Sequence, residues 1–192
     1  VVLPGTPINT SPPTITGTVQ VGKKLTAHPG TWDVSGLHFA YQWQADGVDI
    51  PGADSQRYRV ASTDQGKQLT VVVTATKGDL PPGTAVSAAV TVPYQSSTAL
   101  SLNRFIGFSW QTTTAKVTVT SGAVGAPTGS VAIKINGSTV TTIVLTAADN
   151  GTVTYTFPNG GSGLYRVQAE FTPDDAAVQG STSPTRYLLI LF

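Results

Sequence analysis

Between Leu37 and Gln44 large apolar residues alternate with small or polar ones without a break. Leu37, Phe39, Tyr41 and Trp43 share one parity, and His38, Ala40, Gln42 and Gln44 share the other. Successive side chains of an extended strand point to opposite faces, so this spacing predicts a strand with a leucine and three aromatics on one buried face. Phe39, Tyr41 and Trp43 are its expected core markers. The same period recurs more weakly at Ile15 and Val19, Leu25 and Ala27, Tyr58 and Val60, Leu69 to Ala75, and Val86 to Val92. Asp46-Gly47 is a hairpin signal, because both residues tolerate the positive φ such turns demand.

The second half repeats the pattern with different residues. Alternation runs through Thr98, Leu100 and Leu102, then Ala115, Val117 and Val119, then Val131, Ile133 and Ile135. Asn136-Gly137 is the strongest short-range hairpin signal in the chain. Val140 to Leu145, Val153 to Phe157 and Tyr165 to Phe171 follow, with no stretch of sustained helical period. At 192 residues the chain suits two domains of roughly 90 to 100 residues each. The expected division is an extended, proline-rich leader at 1–13, one sandwich at 14–93, a polar link at 94–97 and a second sandwich at 98–192.

Short strands with turn signals every 8 to 12 residues or so, and a Trp on the third, outline an immunoglobulin-like sandwich. In the first half, Ile15-x-Gly17, Val21-Gly22-x-x-Leu25, Pro29-Gly30-Thr31-Trp32, Tyr41-x-Trp43, Gly47-x-x-Ile50-x-Gly52-Ala53 and Asp64-x-Gly66-x-x-Leu69 together resemble the Ig-like modules of bacterial surface and secreted proteins. In the second, Val117-x-Val119-x-Ser121, Pro127-Thr128-Gly129-x-Val131 and Gly163-x-Tyr165-x-Val167-x-Ala169-x-Phe171 resemble another bacterial Ig-like family, found in adhesins. The resemblance implies an all-β fold of two consecutive Ig-like sandwiches and a non-catalytic role. No cysteine pair flanks Trp43, so packing alone must hold its core.

Composition narrows the partners. Only 11% of residues are charged, against roughly 25% in an ordinary soluble domain, and the net charge is +1. The eleven Lys and Arg are scattered, which argues against nucleic acid. Thirty threonines and 20 glycines make a neutral surface of the kind that faces the outside of a cell. The longest apolar run is far below the ~20 residues needed to cross a bilayer, so no membrane insertion is expected. Without methionine, even at position 1, the chain reads as a processed product or a fragment.

Candidate chemistry is sparse. Only His28 and His38 could act as imidazole bases, and both read as surface residues. Asp46 with Asp49, and Asp174 with Asp175, lie in turn-like segments where Asp serves the backbone. No catalytic residue, cofactor or metal ligand is expected. Trp32 and Trp110 fall outside clean alternation and are candidates for stacking on a glycan. The terminal run Tyr187-Leu188-Leu189-Ile190-Leu191-Phe192 is apolar on both parities, which predicts that something covers its second face. A loop or the other domain would do so, or a neighbouring molecule by strand addition or by packing against an exposed edge, with Val1-Val2-Leu3 as the candidate donor in a head-to-tail array.

The expectation is therefore a non-enzymatic structural or adhesive segment of a bacterial surface protein or filament. It would be extracellular and contact a protein partner or copies of itself through its terminal strands. The alternatives are a carbohydrate-binding module and an accessory domain of a secreted hydrolase.

Overall fold

The computed structural model describes residues 5–158 and 161–192. The chain divides into two compact units between Pro93 and Tyr94. Both are β-sandwiches, antiparallel but for one parallel strand pair in the second, with short 3-10 turns as their helical content among the described residues.

In the first unit the strands are β1 (Asn9–Ser11), β2 (Thr14–Gly17), β3 (Lys24–His28), β4 (Thr31–Trp32), β5 (His38–Ala45), β6 (Val48–Asp49), β7 (Arg57–Arg59), β8 (Gln68–Thr76), β9 (Gly83–Val86) and β10 (Val90–Thr91). One sheet has the order β2-β3-β7. A second has the order β10-β8-β5-β6, with β9 also on β8, and β1 and β4 form a two-stranded pair. Asp46 and Gly47 turn β5 into β6 with φ of 51° and 79°, as their types predict.

Trp43 is fully buried among Leu25, Val60, Leu69 and Val71. Its ring stacks on Tyr58 at 5.4 Å, and its Nε1 donates to the Ser55 carbonyl at 2.9 Å. The opening strand is nevertheless not buried evenly along one face. Tyr41 sits at the margin of the core, and Phe39 lies outside it, tilted against Trp32 with ring centroids 6.2 Å apart. Parity selects the face, but which positions along it find a facing element is a tertiary matter.

Part of the expected leader is built into the sandwich. Asn9–Ser11 pairs with β4, Ile8 and Asp33 exchange hydrogen bonds, and Pro7 and Pro13 are buried. At Gly83 an added Cβ would stand 2.1 Å from the Pro7 carbonyl oxygen, so only glycine lets the leader lie this close. The prolines concealed the pairing, since they interrupt the ladder on either side of a three-residue polar strand.

The second unit contains β11 (Ser96–Leu102), β12 (Ile106–Phe108), β13 (Thr114–Ser121), β14 (Gly129–Ile135), β15 (Ser138–Leu145), β16 (Thr152–Thr156), β17 (Gly163–Pro173), β18 (Ser181–Thr182) and β19 (Arg186–Leu191). Its sheets are β11-β13-β16 and β12-β19-β17-β14-β15, with β18 also on β17. Between them lie Leu100, Val117, Val131, Ile133, Val167, Phe171 and Leu188. The expected link at 94–97 belongs to this unit. Ser96 and Ser97 begin β11, and Tyr94 exchanges backbone hydrogen bonds with Ala177 and Gln179, both at 2.8 Å. Its polar side chains gave no apolar period, because the pairing is made by backbone groups and by the Ser96 hydroxyl, which donates to the Gln179 carbonyl at 2.6 Å.

The two units share one device. Ser87 and Ser183 are buried where the last strand of each unit is interrupted. The Ser87 N–H donates to the Val71 carbonyl at 3.0 Å, while its Oγ accepts from the Val71 N–H at 3.1 Å and donates to the Ala88 carbonyl at 3.0 Å. Ser183 does the same with Ala169 and Pro184, at 2.8, 2.9 and 3.1 Å. Pairing resumes at Val90↔Leu69 and at Arg186↔Val167, so each serine hydroxyl fills the gap left by a one-residue bulge. Replacing either serine by alanine strands a buried backbone N–H. Ser87→Ala and Ser183→Ala are each expected to lower stability by about 1 to 3 kcal/mol in urea titrations. A loss below about 0.5 kcal/mol, the usual range of a neutral surface change, would show the hydroxyl to be dispensable.

Tyr58 also fixes the corner that leads into β8. Its hydroxyl donates to Asp64 Oδ2 at 2.7 Å, the same oxygen that accepts from the Ala61 N–H at 2.8 Å. Burial, and then the neighbouring Asp64, push the Tyr58 pKa up to about 12.

Candidate contact surface

The terminal strand β19 lies inside its sheet. It pairs antiparallel with β17 on one side and parallel with β12 on the other, with Leu189, Ile190 and Leu191 opposite Ile106, Gly107 and Phe108. The Leu189 N–H donates to the Phe105 carbonyl and the Ser109 N–H to the Leu191 carbonyl, both at 2.9 Å. Strand addition at this edge of β19, one of the two modes expected for the terminal run, is therefore closed along residues 189–191. The segment Asn103 to Trp110, whose pattern was least regular, supplies the strand that closes it. The candidate donor Val1-Val2-Leu3 lies outside the described residues.

The double-sided apolarity has a different consequence. Leu188 is fully buried and Ile190 packs against the same core, while Tyr187, Leu189 and Leu191 take the opposite parity. Residues opposite one another on paired strands share a face. Ile106 and Phe108 on β12 and Leu164 on β17 therefore lie with Leu189 and Leu191 on the outer face of the sheet. Leu164 is 60% exposed and Tyr187 57%. Farther across the same face Lys134 and Glu170 form an ion pair, which bounds the apolar strip of the β12 side. At the end of β12, Phe108 and the exposed Trp110 stack with centroids 4.7 Å apart and planes at 16°. Phe105 and Phe192 are also exposed.

Tyr187, Leu191 and Phe192 thus present surface, whereas Leu188 and Ile190 belong to the interior. Leu164 and Ile106 escaped notice in the sequence. The signal at Leu164 was a leucine on the parity that Arg166, Gln168 and Glu170 otherwise fill with polar groups. Trp32 is not free to stack on a ligand in the way Trp110 is. It is half-buried against Phe39, and its Nε1 donates to the Pro29 carbonyl at 2.9 Å.

The remaining candidates serve local structure. Asp46 accepts from the Gln68 N–H, Asp49 from the Gln44 amide, and Asp175 from the Ala177 N–H. His28 Nε2 lies 2.9 Å from the Thr16 hydroxyl. Among the described residues no group of three or more His, Cys, Asp or Glu could hold a metal ion. No helix there is long and apolar enough to cross a membrane.

No family model matches the chain, and no curated protein does. Solved structures do. The N-terminal eight Ig domains of Down Syndrome Cell Adhesion Molecule align with 93% of this chain and 24% of their own length, at TM-score 0.53 and 14% identity. Fibronectin(III)-like modules of Clostridium thermocellum CbhA align with 93% of both chains at TM-score 0.39 and 11% identity. The D0-D1 domain of intimin aligns with 92% of this chain and 97% of its own at TM-score 0.32 and 14% identity. At 14% identity the match to the Down Syndrome Cell Adhesion Molecule domains is a likeness of fold, and it defines the class. The protein is all-β, with immunoglobulin-like sandwiches.

Proposed function

We propose that the chain is a non-catalytic, extracellular structural or adhesive segment of a bacterial surface protein, and that it meets a protein partner, or copies of itself, through the outer face of its second sandwich. The apolar strip formed by Ile106, Leu164, Leu191 and their neighbours carries this reading. Clustered exposed apolar residues beside a polar rim are characteristic of a protein contact. Face-to-face packing on the strip is the proposed mode, since β12 already occupies the edge of β19.

The test is a triple variant, Leu164→Asn, Leu191→Asn and Phe192→Ser, at positions where side chains are exposed. Light scattering of wild type is expected to show concentration-dependent association, or, failing that, cells bearing the chain are expected to adhere to a protein-coated surface. The variant is expected to weaken either at least about tenfold, the equivalent of ~1.4 kcal/mol. Association and adhesion unaltered by the triple change would reject the strip as the contact.

A carbohydrate-binding role is the second reading, and one observation favours it. Trp110 is 67% exposed with one ring face against Phe108, leaving indole surface for a sugar. Under this reading Trp110→Ala abolishes glycan affinity while the apolar triple variant keeps it.

A further inference from the structure

A cavity of about 340 Å³ opens between the sheets of the second sandwich, at the end where β16 finishes and β17 begins. Its walls are aromatic. Phe108, Tyr155, Phe157 and Tyr165 line it, and Tyr155 meets Phe157 edge to face at 5.0 Å and 70°. No charged side chain is among the lining residues. The Tyr165 hydroxyl is tied to the Gly161 carbonyl at 2.6 Å, which holds that ring in place. Ser109, Gln111 and Thr113 are also among the lining residues.

These features select a ligand class. An ion would leave water for a wall without a counter-charge, which costs far more than a neutral group does. A sugar carries more hydroxyls than so apolar a wall can satisfy. Size sets the third limit, since specific small-molecule sites begin near ~300 Å³ and a water molecule takes about 30 Å³. One ring system fits, and a long chain does not. We infer that the second sandwich holds a binding site for a neutral, ring-bearing small molecule, enclosed by Phe108, Tyr155, Phe157 and Tyr165. The cavity and the outer apolar strip share Phe108, but the strip residues Ile106, Leu164, Leu189 and Leu191 do not line the cavity.

The probe is 2-naphthol, titrated into the whole chain and followed by its fluorescence. Saturable one-to-one binding is expected, with naphthalene-2-sulfonate at least about tenfold weaker because of its charge. Val140→Trp and Gly161→Trp each place an indole at the mouth. Val140 is partly exposed, and a Cβ on Gly161 meets nothing within 4 Å, so two independent blocks are available should one variant fold poorly. Either block is expected to weaken 2-naphthol about tenfold or more. Absence of saturation, equal binding of the sulfonate, or indifference to both blocks would each overturn the assignment.

Discussion

Trp43→Ala is expected to unfold or severely weaken the first sandwich, with a loss of about 3 to 5 kcal/mol. The figure follows from what the indole does. It is fully buried, stacks on Tyr58 and satisfies the Ser55 carbonyl, so truncation leaves a cavity, an unsupported ring and an unpaired acceptor. No disulfide limits the unfolded chain, since the protein has no cysteine. A small domain has only about 5 to 15 kcal/mol in total, and near Tm each kcal/mol moves a domain of this size by about 4 to 8 °C. Calorimetry should therefore place the transition of the first unit at least about 12 °C lower. A shift of only a degree or two would mean that the neighbours close over the site. Phe39→Ala is the control on the same parity. Phe39 lies outside the core cluster, and its loss should be clearly smaller.

That contrast marks where the sequence was legible. Period-two alternation gave the strands and their inner faces, and the hairpins at Asp46-Gly47 and Asn136-Gly137 have the positive φ their residue types predict. These are local properties, carried by a residue and its near neighbours. Pairing between distant segments was not legible where side chains left no mark on it. Asn9–Ser11 and Tyr94 to Ser97 are polar strings joined to their partners largely through backbone groups. The bulge serines were hidden for a related reason. A serine reads as surface until the strand opposite shows that its hydroxyl replaces a missing ladder bond.

The contact surface was half legible. A terminal strand apolar on both parities announced a second covered or contact-making face, but not that Ile106–Phe108 would run parallel beside it. Parallel pairing joins segments about eighty residues apart here, and no local signal encodes it. Phe105 to Trp110 looked irregular because three residues of strand sit among aromatics that face outward.

Removing residues 187–192 is expected to unfold the second sandwich, whatever that segment contacts. The deletion takes away Leu188, fully buried in the core, and opens the sheet between β17 and β12. Loss of a buried leucine alone costs about 2 to 5 kcal/mol, and the ladder bonds on both sides add to it. Leu188→Ala should thus reproduce much of the destabilisation. Leu191→Asn, at a 39% exposed position on the other parity, should remain within about 1 kcal/mol of wild type. Urea titrations of the three proteins check the order. The ranking decides how an assembly experiment is read, because a trimmed chain that fails to associate has lost its fold together with its surface. If the trimmed chain instead melts like wild type, β19 is not the inner strand described here and the outer strip built on its parity falls with it.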